Sequence, residues 1–90
     1  MSKRTEQEML DLIYDGVVNL FVEMVKRDFP ELDEVDSWEM ALEEALECDR
    51  KEMYEMIKIA NVDYTAQEYF RKTPSAYKKL EDMLMTGYEN

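Results

Sequence analysis

The chain has 90 residues, and its 22 Asp and Glu against 11 Lys and Arg give a formal net charge of −11. It contains no histidine, which excludes Ser-His and Cys-His nucleophile pairs and imidazole metal ligands. Its one cysteine, Cys48, excludes an internal disulfide and favours a reducing compartment. The strong negative charge argues against binding to nucleic acid or to an anionic membrane, since both are polyanions.

Helix-favouring residues dominate the composition. Apolar residues make up 46% of the chain, which is enough for a core, and glycine and proline occur only twice each. No apolar run approaches the roughly 20 residues that span a bilayer, and the N-terminus turns acidic where a signal peptide would turn apolar. We therefore expect one all-α domain over residues 1–90, a compact bundle of four to five short helices that dimerisation would stabilise further. We expect it to be soluble and cytoplasmic, in the host cytoplasm if it is viral.

The first predicted helix is strongly apolar. Thr5 with Glu8 fits a capping box, and Phe29-Pro30 ends the helix. Its apolar residues recur at helical spacing but cover more than one face, so the helix is either central in the fold or part of a homodimer seam. Gly16 within it predicts a close helix–helix crossing. The broad stripe comprises Leu10, Leu12, Ile13, Val17, Val18, Leu20, Phe21, Val22, Met24 and Val25.

The middle of the chain reads as an acidic connector followed by two helices. Residues 30–37 form the connector, with Leu32 and Val35 expected to pin it to the core. Asp36 with Glu39, or Ser37 alone, would cap a second helix from about Trp38 to Glu47. The inner face of this helix is predicted to comprise Trp38, Ala41, Leu42, Ala45 and Leu46.

A second capping box, Asp49 with Glu52, predicts a third helix that runs to Ala60. The pattern leaves open whether the second and third helices are separate or one bent rod.

The last third of the chain predicts a break and two more helices. Asn61-Val62-Asp63 is the break, and Thr65 with Glu68 starts a fourth helix. Thr73-Pro74 starts a fifth, because proline is favoured at the first helical position. Gly87 is expected to end it.

The excess negative charge is concentrated in one segment. Residues 28–49 contain ten acids and no base. Glu39, Glu43 and Glu47 are like charges at i,i+4 steps, which destabilise a helix by about 0.2–0.5 kcal/mol per pair. They form a line of carboxylates roughly 6 Å apart, because each residue rises 1.5 Å along the axis.

Two interpretations of this segment remain open. The plain one is a solvated helix face that keeps the protein soluble. The other is a surface that meets a basic protein surface and occupies a site that normally holds DNA or RNA. The candidate partner-binding residues are Glu31, Asp33, Glu34, Asp36, Glu39, Glu43, Glu44 and Glu47.

Sequence signals for catalysis or metal binding are weak. Zinc and di-iron sites need histidines that are absent, and no window between residues 28 and 49 fits a calcium-binding EF-hand loop. Acidic neighbours raise the pKa of a thiol, so Cys48 is predicted to pack rather than to react. We therefore expect no enzyme activity, no metal site and no cofactor.

Methionines and tyrosines are abundant, with eight and six respectively. Most methionines fall on core stripes, whereas Met40 and Met85 fit either the core or an adaptable binding surface. The tyrosines are expected to be mostly half-buried, with one or two at the surface beside the acidic segment: Tyr14, Tyr54, Tyr64, Tyr69, Tyr77 and Tyr88.

A small basic spot flanks the Thr73-Pro74 turn and raises a rival hypothesis. It consists of Arg71, Lys72, Lys78 and Lys79. Helix, turn and helix here are similar to a helix-turn-helix unit, and the twelve residues 69–80 resemble the closing segment of AraC-type regulators. The rest of that two-unit domain has no counterpart in this chain, and the acidic segment would repel DNA.

The residues from Asp36 through Asp63 carry a second resemblance. An acidic start, a Met/Ala/Leu helix and then a helix with Tyr and Ile are similar to the middle of the overcome-classical-restriction family of anti-restriction proteins. Small anti-CRISPR proteins share this character. The resemblance implies an acidic helical dimer that imitates bent DNA and blocks nucleases. The C-terminal third of this chain has no net charge, whereas the family has a strongly acidic C-terminus. Mimicry of DNA is therefore expected of one face of the protein and not of the whole molecule.

The sequence thus predicts a non-enzymatic phage-type inhibitor. Its partner would be a basic nucleic-acid-processing host protein, such as a nuclease or a CRISPR or restriction effector, without direct contact to nucleic acid or membrane. The alternative is a helical protein-interaction module, such as a phage assembly chaperone or a regulatory dimer that binds through helix 1. A small helix-turn-helix regulator is the third hypothesis.

Overall fold

Five α-helices account for the fold in the computed structural model, which describes residues 4–89 and the side chains of residues 4–87. They are α1 (Glu6–Asp28), α2 (Glu34–Leu46), α3 (Arg50–Ile59), α4 (Tyr64–Lys72) and α5 (Pro74–Glu89). The described part of the chain contains no strand. The prediction of a compact all-α bundle of four to five helices is confirmed.

Capping residues start two of these helices as predicted. Thr5 Oγ1 accepts a hydrogen bond from the Glu8 amide at 3.1 Å, and Glu8 Oε1 accepts one from the Thr5 amide at 3.0 Å. Asp49 and Glu52 form the same reciprocal pair at the start of α3. In each case a side chain satisfies an amide that lacks an intrahelical partner. These helix starts are therefore determined locally.

The central element is α1, which packs against each of the other four helices. Val18 is buried, and Leu12, Leu20 and Val22 are half-buried. The core and the side chains packed on it therefore include every residue of the broad apolar stripe of α1 except Leu20. The homodimer through α1 stays a prediction. The remaining packing joins α2 to α5, α3 to α4 and α4 to α5, within extents of 44 × 25 × 24 Å.

The start of α2 differs from the prediction. Asp33 is the cap, and its Oδ1 accepts a hydrogen bond from the Asp36 amide at 2.8 Å. The helix therefore begins at Glu34 rather than at Trp38, and the connector is shorter than predicted. Leu32 packs against the core as expected, but Val35 lies on the helix surface with 63% of its area exposed.

The next two boundaries separate three helices. The second helix ends at Leu46 and the third begins at Arg50, so they are separate helices. The break at residues 61–63 is confirmed, but the cap and start of α4 lie two residues earlier than predicted. Asp63 caps it by accepting from the Thr65 amide at 3.2 Å, so Thr65 is inside the helix and is not its cap.

Gly87 does not end the last helix. The fifth helix begins at Pro74 as predicted, but it continues through Gly87 to Glu89. A Cβ atom at Gly87 would lie 2.7 Å from the Tyr14 hydroxyl and 3.4 Å from Leu42 Cδ1. The missing side chain therefore allows α5 to pack closely on α1 and α2, and does not terminate the helix.

Gly16 makes the close approach that was predicted, but to a connection and not to another helix. A Cβ atom there would lie 2.6 Å from Val62 Cγ2, in the segment that joins α3 to α4. Asn61, just before Val62, has a φ of 57°. Asparagine tolerates this left-handed backbone, which turns the chain back onto α1.

The tyrosines and methionines are mostly half-buried. Four tyrosines have intermediate exposure, Tyr64 is 72% exposed, and the side chain of Tyr88 lies outside the described residues. Met53 is buried in the core, Met40 is half-buried and Met85 is 46% exposed. None of the described helices is long and apolar enough to cross a bilayer.

Candidate functional site

The eight acidic residues predicted to bind a partner lie on α2 and at its two ends, and we call them the acidic surface. Asp36, Glu39, Glu43 and Glu47 follow one another at spacings of three and four residues, so they share the face of α2 opposite the core. All four are exposed. Glu39 and Glu47 are about 12 Å apart along the axis, because each residue rises 1.5 Å. The structure therefore brings half of the predicted residues into one row.

The other four residues of the acidic surface occupy different environments. Glu31 is exposed in the turn before α2, and Asp33 is exposed while its carboxylate caps the helix. Glu34 Oε1 accepts a hydrogen bond from Lys26 Nζ at 2.8 Å. Glu44 is half-buried. These residues extend the acidic surface, and Glu31 resembles Asp36, Glu39 and Glu47 in being exposed without a basic side chain within 4.0 Å among the described residues.

The row itself is short of positive partners. Within residues 4–89, Asp36, Glu39 and Glu47 have no basic side chain within 4.0 Å. The N-terminus of a helix favours negative charge, but the C-terminus does not, so Glu47 at the C-terminal end of α2 opposes the helix dipole. The folded protein thus holds repelling carboxylates together on a regular scaffold.

Apolar side chains lie among these carboxylates. A shallow groove of about 620 Å³ is lined by Phe29, Met40, Glu43, Glu44, Leu46 and Glu47. A second groove of about 410 Å³ is lined by Glu34, Val35, Trp38 and Glu39. Phe29 is 41% exposed, and Val35 is also well exposed. Mixed apolar and charged surfaces of this kind are typical of protein interfaces.

Sequence reasoning missed most of the apolar part of this surface. It assigned Phe29 to a helix end and Val35 to the core, and it left Met40 open between the core and a binding surface. The charge pattern alone pointed to α2. Helical spacing does not reveal the exposure of Val35, because Trp38 and Leu42, three and seven residues later, belong to the predicted inner face; the sequence therefore offered no signal for it.

The basic spot around the Thr73-Pro74 turn is neutralised within the protein. Arg71 donates two hydrogen bonds to the Glu68 carboxylate at 2.7 and 3.1 Å, and Lys72 lies 3.7 Å from the same group. The hydrogen bond from Arg71 holds the pKa of Glu68 below its ordinary value. Two further ion pairs complete the set, Lys78 with Asp82 and Lys79 with Glu6. Each of the four cations therefore has a carboxylate partner, so this spot offers little net charge to DNA phosphates.

Cys48 lies half-buried between α2 and α3. Its Sγ is 3.7 Å from the carbonyl oxygen of Glu44. Burial raises the pKa of the thiol, and the negative charges of Glu52 and Asp49 raise it further. A thiol with a raised pKa forms little thiolate at neutral pH, and the thiolate is the nucleophile. In the described residues no three side chains of the His, Cys, Asp and Glu types are grouped to hold a metal ion.

Comparison with protein-family models, with curated proteins and with solved structures finds no match to this chain.

Proposed function

We propose that this protein is a non-enzymatic inhibitor whose acidic surface binds a basic, nucleic-acid-binding surface of a partner protein. The observation that carries the proposal is the row of exposed carboxylates on α2, which lacks basic partners at Asp36, Glu39 and Glu47. A surface that only had to be solvated would gain stability from interspersed lysines, because opposite charges at i,i+4 stabilise a helix. The partner supplies those positive charges instead.

The apolar side chains beside the row favour a protein partner over loosely bound counterions. Phe29 and Val35 are exposed beside the acidic surface, and protein interfaces bury side chains of this type. Arginine and lysine of the partner pair with the carboxylates through their charged ends, while their aliphatic stems cover the apolar side chains. Complementary charge raises the association rate, and the apolar contacts slow dissociation.

This protein inhibits its partner by occupying the groove in which the partner holds DNA or RNA. A groove that holds DNA or RNA presents arginines and lysines at the positions of the phosphates. A rigid row of carboxylates competes for the same cations, so nucleic acid and this protein exclude each other. The resemblance to DNA-mimic anti-restriction proteins supports this mode, as does the neutralised basic spot, which leaves the protein itself without a strong DNA-binding surface.

Charge reversal of the row tests the proposal. The variant Glu39→Lys/Glu43→Lys/Glu47→Lys is compared with Asp11→Lys/Asp15→Lys/Glu23→Lys, which makes the same charge change at exposed positions of α1. Each immobilised protein captures partners from host lysate, and mass spectrometry identifies them. We expect the wild type and the α1 variant to retain a nucleic-acid-binding protein that the α2 variant loses, with the helical circular dichroism of both variants intact.

The captured partner then provides the decisive measurement. We expect duplex DNA or RNA to displace this protein from it, and the affinity to fall steeply between low and high salt. Equal capture by the two charge-reversed variants contradicts the proposal. Salt-insensitive binding that survives the α2 substitutions instead supports the interaction-module alternative, whose exposed apolar candidates are Ile59 and Tyr64.

A further inference from the structure

A cleft between α3 and α4 differs in character from the rest of the surface. It measures about 290 Å³, is more enclosed than the two grooves beside α2, and is lined by Arg50, Lys51, Tyr54, Phe70 and Arg71. The rings of Tyr54 and Phe70 are parallel to within 1°, with centroids 6.3 Å apart. Tyr54 is half-buried and provides the accessible ring, whereas Phe70 is 1% exposed, and every charged side chain that lines the cleft is a cation.

Two of these cations are unusual in so acidic a protein. Among residues 4–89, Arg50 and Lys51 are the only basic side chains without a carboxylate oxygen within 4.0 Å. The chain has twice as many acids as bases, and the other eight described basic side chains each have a carboxylate oxygen within 4.0 Å. Both residues are exposed and lie in the first turn of α3. Their charges are therefore available to an anion at the cleft.

Neighbouring contacts hold the cleft in place. One guanidinium nitrogen of Arg50 donates to the carbonyl oxygen of Arg71 at 2.9 Å, which ties the start of α3 to the end of α4. Arg71 is itself oriented by its two hydrogen bonds to Glu68. Arg50 thus bridges the two helices, and its other guanidinium N–H groups remain to bind a ligand.

Positive charge continues along the same face of α3. Lys58 Nζ lies 4.9 Å from the centroid of the Tyr54 ring, close enough for a cation–π interaction. The carboxylates nearest this face are already engaged, since Glu55 pairs with Lys58 at 3.1 Å and Asp49 and Glu52 cap α3. Arg71 and Lys58 are paired with Glu68 and Glu55, so the net positive charge at this aromatic cleft comes from Arg50 and Lys51.

We propose that this cleft binds a small planar aromatic anion, a single ring system that carries a phosphate or carboxylate group. The ring packs against the accessible part of Tyr54, and the anionic group receives charge-assisted hydrogen bonds from Arg50 and Lys51. The cleft volume of about 290 Å³ is just below the roughly 300–1,000 Å³ of small-molecule sites, which limits the ligand to this size. The inference is independent of the acidic surface, since it rests on different residues.

Nuclear magnetic resonance titrations test the site with four probes: adenosine 5′-monophosphate, adenosine, inorganic phosphate and benzoate. Comparison of benzoate with the nucleotide distinguishes a carboxylate from a phosphate as the anionic group. We expect adenosine 5′-monophosphate or benzoate to shift the ring signals of Tyr54 and Phe70 and the backbone amides of Arg50 and Lys51. Adenosine and inorganic phosphate should each bind at least tenfold more weakly than the nucleotide, because each lacks one half of the recognised chemistry.

A matched pair of variants provides the control. Arg50→Gln/Lys51→Gln removes the two cations that lack carboxylate partners and should weaken binding at least tenfold with unchanged circular dichroism. Lys26→Gln/Arg27→Gln removes an adjacent pair of cations at the end of α1 and should leave binding unchanged. Three results overturn the proposal: no shifts at the cleft with either aromatic anion, equal affinity of the two variants, or inorganic phosphate binding as tightly as adenosine 5′-monophosphate.

Discussion

Gly16 of α1 lies so close to Val62 that a Cβ atom built on the glycine would be 2.6 Å from Val62 Cγ2. Val62 is 8% exposed and belongs to the core cluster, although it lies between helices. The connection from α3 to α4 is therefore packed directly on the central helix. This contact positions α3 and α4, the two helices that form the cationic cleft, which is lined by Arg50, Lys51, Tyr54, Phe70 and Arg71.

Gly16→Ala is expected to destabilise the protein by about 1 kcal/mol. Overpacking a core costs roughly 1–3 kcal/mol, which exceeds the helix-propensity advantage of about 1 kcal/mol that alanine has over glycine. Urea denaturation measures the change. In a Val62→Ala background the same substitution should become neutral or stabilising, because the methyl group then has room. An unchanged cost in that background would show that the strain arises elsewhere.

Gly87→Ala in α5 is expected to behave in a similar way through a different neighbour. Its Cβ would lie 2.7 Å from the Tyr14 hydroxyl oxygen. We expect a loss of about 1 kcal/mol in the wild-type background. With Tyr14→Phe, which removes only that oxygen, the alanine should stabilise the protein through its helix propensity. A thermal or urea double-mutant cycle measures the coupling, and additive effects would contradict the contact.

Ser37→Ala is expected to stabilise the protein by about 1 kcal/mol. The Ser37 hydroxyl oxygen is fully buried and has no hydrogen-bond partner among the described atoms. A buried unsatisfied polar group costs about 1–3 kcal/mol, and alanine also has the higher helix propensity. Ser75→Ala at an exposed position of α5 is the control for propensity alone. If the two substitutions have equal effects on the urea midpoint, burial of the hydroxyl carries no cost.

The contact between α1 and α4 predicts a pH dependence at both ends of the scale. Tyr69 donates a hydrogen bond to Glu6 Oε1 at 2.7 Å, and Lys79 pairs with the same carboxylate. Hydrogen bonds from Lys79 and then Tyr69 lower the pKa of Glu6 below 4.5. The folded state thus favours the carboxylate, so this stabilisation is present above pH about 4.5 and is lost as the pH falls through the lowered pKa.

At high pH the same contact loses its stabilising effect as the pH rises, through the titration of Tyr69. Burial, and then the hydrogen bond to Glu6, raise the pKa of Tyr69 from 10.0 to about 12. The folded state favours the neutral phenol, so its contribution is complete below pH about 10 and is lost as the pH rises through about 12. Ultraviolet absorbance of tyrosinate follows this titration, with Tyr69→Phe to assign it. Glu6→Gln should lower the pKa of Tyr69, whereas Glu23→Gln, about 25 Å away along α1, should not.

Local signals predicted the parts of the fold that depend on a few adjacent residues. Both capping boxes and the Thr73-Pro74 start lie where the sequence indicates, because a cap satisfies amides within three residues of itself. The start of α2 was harder to predict, because Asp33, Asp36 and Ser37 are all suitable caps within five residues. In the structure Asp33 caps the helix and Ser37 is buried within it, and that burial is a tertiary effect that the local pattern does not show.

The two candidate functional surfaces also differ in how far the sequence predicts them. The row on α2 could be predicted from charge and helical spacing, but its exposed apolar neighbours could not, because Val35 is as suitable for a core as for a surface. The cationic cleft had no sequence signal at all. Arg50 and Lys51 look like ordinary helix residues until the pairing of the other described cations is known.

By itself the sequence determined the helical class, most helix starts and the concentration of negative charge on one segment, because each depends on composition or on contacts within one or two turns. Only the tertiary structure decided that Gly87 continues a helix, that Val35 is exposed and that Arg50 and Lys51 lack carboxylate partners. Those outcomes depend on which distant side chains come within a few ångströms, such as Tyr14 beside Gly87 and Phe70 beside Tyr54. The packing of the other four helices around α1 sets those distances, and no local pattern in the chain encodes them.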